Sequence, residues 1–199
     1  LAGNNISGVW KEGADLLCAI ADGGFSWVHA GRSRNLSRFH GLANNHAYAC
    51  AVLGNNIYVG TLGGLNVISG GKVKETYTSA TSPLKTNWVT ALLPVGDSLF
   101  VGTYGGGIWR FSPPDRWESF EGIAGRFEVN VNALFSRPPR LFAGSLNRGI
   151  IAIDTDGGAA VCLGRYLPAR NVTSFAADDR YLYCGTECGF LRVFLDALD

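Results

Sequence analysis

One phrase recurs through the chain and constrains its fold more than any other feature. Its clearest copy begins at Leu99 and reads LFVGTYGGGIW, and four more copies align on a small residue that follows an apolar run. Those small residues are Ala19, Gly60, Gly102, Gly144 and Gly185, at intervals of 41, 42, 42 and 41 residues. So regular a period indicates an architecture built from repeated structural units.

Each unit has the pattern of four short antiparallel strands. Runs rich in β-branched and aromatic residues alternate with Gly, Asn and Asp turns, and no segment keeps a 3.6-residue period, so we expect almost no helix. In the third unit the predicted strands A to D lie at about 89–94, 98–102, 107–112 and 116–120. A β sandwich would not explain the strict spacing, and a solenoid coil of this length would be unusual. Four strands in about 42 residues match a β-propeller blade.

The sequence therefore predicts an all-β propeller of five repeats in one domain, residues 1–199. The expected blades are about 1–42, 43–84, 85–126, 127–168 and 169–199, and the last lacks its outer strand D. Two arrangements fit: a five-bladed ring with one three-stranded blade, or part of a larger ring with additional blades from a parent chain or a second copy. The absence of methionine, even at position 1, favours an excised piece.

Two sets of positions keep the same register as the repeat. A glycine follows every predicted B–C turn, where a short hairpin needs positive φ; these are Gly24, Gly64, Gly107, Gly149 and Gly189. Strand A is expected to begin thirteen residues before each aligned small residue. These starting positions are Ile6, Ala47, Val89, Val131 and Val172. Small residues two positions later fit an innermost strand, where blades converge.

Composition excludes several classes of function. A formal net charge of +1 gives no electrostatic basis for binding nucleic acid, and no apolar run approaches the length of a membrane span. The five cysteines lack zinc-type spacing, so we expect mostly small buried core residues, with a Cys184–Cys188 disulfide left open. No cofactor and no metal site is predicted.

The Gly-Thr-x-Gly-Gly phrase, preceded by Leu-Phe-Val and followed by Ile-Trp-Arg-Phe, resembles the two-component regulator propeller repeat. The resemblance covers all five units and is closest in the second and third; the first has Ala19-Ile20 in place of Gly-Thr. Repeats of this family build extracytoplasmic sensor portions of bacterial hybrid histidine kinases and occur in other secreted bacterial proteins. The resemblance implies a propeller and says little about the ligand, because the motif belongs to the blade.

The most plausible binding site from sequence is the mouth of the channel, where strand A starts and the B–C turn lies. We predict that these segments bring seven side chains toward one axis: His46, Trp88, Asn130, Asn171, Tyr104, Arg148 and Glu187. Amide, imidazole and indole groups suit hydrogen bonding and stacking against a small polar ligand, a glycan or a peptide. The alternative is that the asparagines only cap turns.

Other chemistry finds less support. Asp22 and Glu187 are the one carboxylate pair that could face each other across a channel mouth, as a glycosidase requires. The segment from Asp154 to Gly158 resembles the start of a calcium loop, but Arg165 stands where the loop needs glutamate. A basic cluster over residues 32–40 is expected on the outermost strand of unit one, where charge protects an exposed edge.

The sequence thus favours non-catalytic recognition, by ligand sensing or protein interaction, within a larger bacterial protein of the periplasm or cell exterior. A propeller enzyme, a lyase or glycosidase with its site at the channel mouth, is the first alternative. A purely structural scaffold is the second.

Overall fold

The computed structural model describes residues 1–120, 126–156, 160–163, 167 and 169–195. Within them the chain forms four four-stranded antiparallel sheets and one three-stranded sheet, each built from consecutive strands. Helical conformation in these ranges is limited to a 3-10 turn at Arg38–His40 and the single residue Leu195, and no described helix could cross a membrane. The expectation of an all-β chain with five repeated sheets is confirmed.

The strands of the five sheets follow in chain order. Sheet 1 contains β1 (Ile6–Glu12), β2 (Asp15–Ile20), β3 (Gly24–His29) and β4 (Arg32–Leu36). Sheet 2 contains β5 (Ala47–Leu53), β6 (Asn56–Thr61), β7 (Gly64–Ser69) and β8 (Lys72–Tyr77). Sheet 3 contains β9 (Val89–Val95), β10 (Ser98–Thr103), β11 (Gly107–Ser112) and β12 (Arg116–Ser119). Sheet 4 contains β13 (Val129–Arg137), β14 (Arg140–Ser145), β15 (Ile150–Asp154) and β16 (Ala160–Cys162). Sheet 5 contains β17 (Val172–Ala177), β18 (Tyr181–Thr186) and β19 (Gly189–Phe194).

The sheets stack side by side through their first strands. β1 contacts β5, β5 contacts β9, β9 contacts β13 and β13 contacts β17, so these strands are innermost. We call the side of each sheet that faces the next sheet its leading face, and the other side its trailing face. The basic residues of β4 lie on the outer edge strand of sheet 1, as expected.

A separate apolar cluster fills each space between consecutive sheets. Between sheets 2 and 3, for example, Tyr58 and Leu65 pack against Leu99 and Val101. Period-two alternation lets one strand supply side chains to both of its interfaces. In β10, Leu99 therefore faces sheet 2 while Phe100 faces sheet 4.

One position in the second strand of every sheet is aromatic or leucine, and we call these five residues the aromatic column. Leu17, Tyr58, Phe100 and Phe142 are fully buried, whereas Tyr183 in sheet 5 is half-buried. The turn after these strands also repeats, because all five glycines at the start of the third strands have positive φ. The equivalence of the units therefore extends to backbone conformation, and sheet 5 differs in its surroundings.

Sheet 4 departs from the expected register in its first strand. Val129, not Val131, pairs with Ser145 and takes the position that Val89 holds opposite Thr103. Three residues separate Val129 from Ala133, where the other sheets have one, so a bulge lengthens β13 and leaves Val131 exposed. The placement of Val131 at the start of strand A is wrong because counting back from Gly144 cannot detect an inserted bulge.

All five cysteines are free. Cys18, Cys50 and Cys184 are buried, as expected for most of them, and Cys188 is exposed. Burial raises the pKa of Cys50 and of Cys184 to about 12, which keeps both thiols protonated at neutral pH. The disulfide considered for Cys184 and Cys188 is not formed.

Candidate functional site

Five backbone hydrogen bonds join the residue before each first strand to the turn between the second and third strands. The carbonyl of the first residue accepts from the N–H of the second over 2.9 to 3.3 Å. The pairs are Asn5 with Ala21, His46 with Leu62, Trp88 with Tyr104, Glu128 with Leu146, and Asn171 with Glu187. Both segments therefore share one surface in every sheet, which we call the mouth face.

Glu128, not Asn130, occupies the position before the first strand in sheet 4. The bulge moves Asn130 inside β13, where its Nδ2 donates to Asn171 Oδ1 at 2.8 Å and to the carbonyl of Val172 at 2.6 Å. Asn130 and Asn171 thus join sheets 4 and 5. The prediction that Asn130 precedes strand A is corrected, and a carboxylate stands in its place.

Side chains from sheets 1 to 3 form two sets of contacts on this face. His46 Nε2 lies 2.6 Å from Asp22 Oδ1, which joins sheets 1 and 2. The ring of Trp88 stacks on Tyr104 at 4.2 Å between centroids and lies 5.7 Å from the ring of Tyr48. We call Asp22, His46, Tyr48, Trp88 and Tyr104 the mouth cluster.

Local turn chemistry sets the backbone of this cluster. Asn44 Oδ1 accepts from the N–H of His46 at 2.9 Å, and Thr86 Oγ1 accepts from the N–H of Trp88 at 3.3 Å. Such side-chain-to-backbone bonds fix a turn just before a strand begins. Asp22 has a φ of 68°, a left-handed conformation that aspartate tolerates better than most residues.

The cluster offers both charge and aromatic surface. Asp22 and Tyr104 are exposed, while His46 and Trp88 are half-buried beside them. Burial, and after it the negative charge of Asp22, raises the pKa of Tyr48. The Tyr48 phenol therefore stays protonated and able to donate at neutral pH.

The other predicted residues lie outside this cluster. Arg148 and Glu187 are exposed in the turns of sheets 4 and 5, and the N–H of Arg148 donates to Ser145 Oγ at 2.8 Å. The contacts therefore divide the seven predicted residues between the mouth cluster, the Asn130–Asn171 pair and two exposed turn residues.

Asn132 is a candidate site residue that the sequence did not indicate. With a φ of 55° it lies in the bulge of β13, and its Nδ2 donates to the carbonyls of Ser7 at 2.6 Å and Tyr48 at 3.1 Å. It lines a cavity of about 350 Å³ between the first strands of sheets 1 to 4. The doubled Val-Asn pair at 129–132 is the signal that could have indicated it.

No three His, Cys, Asp or Glu side chains in the described parts of the chain are grouped to hold a metal. Asp154 Oδ1 accepts from the N–H of Asp156 at 2.9 Å, which is the Asx turn of a hairpin. The remaining positions of the calcium-loop interpretation, Gly157, Gly158 and Arg165, lie outside the described residues.

No family model and no curated protein matches the chain. Its fold is shared with the structure described as the extracellular domain of the hybrid two component system BT4673 from B. thetaiotaomicron, at a TM-score of 0.77 and 19% identity over 98% of this chain. For the corresponding extracellular domain of BT3049 from B. thetaiotaomicron the TM-score is 0.72, at 15% identity over 98% of this chain. For the WD40 beta propeller domain of Doa1 the TM-score is 0.70, at 12% identity over 95% of this chain.

The chain spans 28% and 30% of the length of the two bacterial structures and 63% of the Doa1 domain. At these identities the likeness shows the fold alone, a set of antiparallel sheets like those of a β propeller.

Proposed function

We propose that the chain is a non-catalytic recognition domain that binds a small polar ligand, a glycan or a peptide at the mouth face. The observation that carries this proposal is the stacked Trp88–Tyr104 pair beside the Asp22–His46 pair. An exposed aromatic surface next to fixed polar groups is the usual composition of a site that stacks and orients a guest.

Each part of the mouth cluster has a role in this proposal. Tyr104 presents an exposed ring, on which the apolar face of a sugar or a peptide side chain stacks. Asp22 accepts hydrogen bonds from hydroxyl or amide groups, and Tyr48 donates one. Because the three groups come from different sheets, the rigid stacking of those sheets fixes the spacing that the ligand must match.

The comparisons support a sensing role in a larger bacterial protein. Two structures with the same arrangement of sheets are described as extracellular domains of two component systems. We extend that setting to this chain and place it in the periplasm or outside the cell, as the ligand-detecting part of a longer polypeptide.

The test is a binding screen of the wild-type chain against soluble glycans and short peptides, followed by calorimetry on variants. Trp88→Ala and Tyr104→Ala should each weaken binding at least tenfold, equivalent to about 1.4 kcal/mol. Phe39→Ala is the matched control, because Phe39 is a fully exposed aromatic residue on the outer edge of sheet 1.

Unchanged affinity in both mouth variants would remove the mouth face as the site. Conversion of a bound glycan into products, detected by mass spectrometry, would replace recognition with catalysis.

A further inference from the structure

A groove opens between sheets 1 and 2 at the strand ends opposite the mouth face. It consists of two adjoining cavities, of about 260 Å³ and 150 Å³, between the leading face of sheet 1 and the trailing face of sheet 2. Trp27, Asn55 and Ile57 line both cavities, which therefore form one continuous space. Its size lies within the range of roughly 300–1,000 Å³ that is usual for ligand sites. We call it the back groove.

Strand register orders the side chains of sheet 1 along this groove. Leu17 pairs with Trp27, which pairs with Arg34, so one row of side chains crosses β2, β3 and β4. Asp15 precedes Leu17 by two residues and lies on the same face. Asp15 and Arg34 are separated by two strands, roughly 10 Å, across the sheet and by two residues, roughly 7 Å, along it. The groove therefore runs from Asp15 near the centre to Arg34 at the outer edge.

The outer end of the groove is cationic. Arg34 is exposed, and no hydrogen bond or ion pair within the described ranges involves its guanidinium. The guanidinium lies across the β7–β8 turn, where a Cβ at Gly71 would meet Nη1 at 2.5 Å. Glycine at this turn therefore leaves room for the arginine. A guanidinium whose N–H groups have no acceptor is suited to binding a carboxylate.

The inner end of the groove is anionic. Glu12 and Asp15 line the smaller cavity, and none of the described residues that line it is a lysine or an arginine. Trp10 Nε1 donates to Glu12 Oε2 at 3.1 Å, which holds this carboxylate beside the cavity. The hydrogen bond with His29 is the main cause that lowers the pKa of Asp15 below 3.8, so Asp15 is ionised at neutral pH. Two carboxylates at one end suit an ammonium group.

The middle of the groove is apolar and holds one unpaired donor. Leu17, Ile57 and Ile68 form its apolar lining. The Nε1 of Trp27 is buried there without a hydrogen-bond partner among the described residues. The Asp15 carboxylate is close enough for this N–H to contribute to its lowered pKa, but not close enough to accept a hydrogen bond. A buried donor without an acceptor is unfavourable, and an acceptor brought into the groove would relieve it.

Larger side chains occupy the corresponding space between other sheets. Between sheets 2 and 3, Phe111 holds the position that Ile68 has in sheet 2, and its ring lies 4.6 Å from that of Trp117. Between sheets 3 and 4, the guanidinium of Arg110 crosses the space and donates to the carbonyl of Thr155 at 3.0 Å. The back groove therefore arises from the residues of sheets 1 and 2 and is not a general property of the repeat.

We propose that the back groove binds a short, extended peptide with free ends. Its carboxylate pairs with Arg34, its amino group lies against Glu12 and Asp15, and an apolar side chain packs on Ile57. A small turn of the half-buried Trp27 ring lets Nε1 donate to a peptide carbonyl. Three extended residues span about 10 Å, which matches the distance between the charged ends. The groove and the mouth face lie at opposite ends of the strands, so this proposal is independent of the proposed function.

An NMR titration of the nitrogen-15-labelled chain with the tripeptide Ala-Leu-Ala tests the proposal. The backbone N–H signals of the groove turns should shift, at Gly54, Asn55, Gly70 and Gly71, with a dissociation constant below about 1 mM. The C-terminal amide and the N-acetyl form of the tripeptide should each bind about tenfold more weakly, because each lacks one charge-assisted contact.

Variants assign the two ends of the peptide. Arg34→Gln should weaken binding of the free tripeptide about tenfold and change binding of its amide less than about twofold, because the amide has already lost the group that Arg34 contacts. Asp15→Asn should behave in the same way toward the N-acetyl form. Arg116→Gln, the same change on the outer strand of sheet 3, is the matched control and should bind normally, as should Tyr104→Ala. Circular dichroism checks that every variant is folded.

Three results would overturn the proposal. The first is the absence of shifts at the groove turns of the wild-type chain up to about 10 mM tripeptide. The second is a loss in Arg34→Gln that is as large for the amide as for the free tripeptide. The third is weaker binding by Tyr104→Ala, which would place the tripeptide on the mouth face.

Discussion

Sheets 3 and 5 share one sequence frame and differ in their surroundings. In sheet 3, Phe100 and Ile108 are buried against sheet 4. In sheet 5, the equivalent Tyr183 is half-buried and Phe190 is exposed. The pairing of the second and third strands is equivalent in both sheets, and the glycine before the exposed or buried apolar residue has positive φ in both. The repeat therefore specifies strand pairing, and neighbouring sheets supply the burial.

This difference separates two sources of stability in a repeat protein. Energetics in such folds are close to a sum of the intrinsic stability of each repeat and the interfaces between neighbours. Equivalent substitutions in sheets 3 and 5 change the same repeat position, so the difference in their effects measures the interface.

The largest difference is expected at the aromatic column. Phe100→Ala should lower the free energy of unfolding by about 3–5 kcal/mol, because it leaves a cavity between sheets 3 and 4. Tyr183→Ala should cost roughly 1 kcal/mol, since its ring is half-buried and packs on Tyr181 and Phe190 of its own sheet. Urea unfolding at low protein concentration measures both, and equal losses would show that burial by the neighbour is not the cause.

A smaller difference is expected at the hydrogen bond between sheets. Thr90→Val should destabilise the chain by about 1–2 kcal/mol, because the buried carbonyl of Val129 loses the hydroxyl at 2.7 Å. Thr173→Val, the matched change at an exposed position of sheet 5, should stay within about 0.5 kcal/mol. A cost at Thr173 as large as that at Thr90 would mean that its hydroxyl already has a partner in the isolated chain.

The sequence predicted the repeat well, since spacing and turn glycines are local signals. The predicted strands of unit three agree with β9 to β12 within two residues, and the B–C glycines have the expected positive φ. The bulge in β13 was not predicted, because a fixed repeat interval assumes that the strands have constant length. That one assumption displaced Val131 and Asn130 and concealed both Glu128 and Asn132.

The geometry of the candidate site was predicted in part. Sequence spacing placed His46, Trp88 and Tyr104 on the same face, and in the structure Asp22 lies beside His46 while Tyr48 and Tyr104 contact Trp88. Tyr48 was missed because it lies one residue inside β5, and its direction depends on how sheets 2 and 3 meet. Contacts between sheets are set by packing angles, which a single repeat does not contain.

The smallest effect concerns how sheet 5 holds its tyrosine without a neighbour. The Tyr183 hydroxyl donates to Asp178 Oδ2 at 2.6 Å, and this bond, ahead of those from the N–H groups of Arg180 and Tyr181, lowers the pKa of Asp178 below 3.8. A lowered carboxyl pKa stabilises the folded chain above the unfolded value, and that contribution is lost as pH falls through the folded value.

Tyr183→Phe should therefore raise the pKa of Asp178 toward 3.8 while leaving the ring contacts in place, as a carbon-13 NMR titration of the carboxyl groups can measure. Asp15 is the internal control, because its pKa is lowered chiefly by a separate hydrogen bond with His29 in sheet 1. Its titration should not change. If Asp178 titrates identically in the variant, the phenol does not anchor the Tyr183 ring, and the two backbone N–H donors account for the lowered pKa. If its pKa rises as expected, a local hydrogen bond fixes the position of Tyr183 in sheet 5. In sheets 1 to 4, packing against the following sheet fixes the equivalent residue.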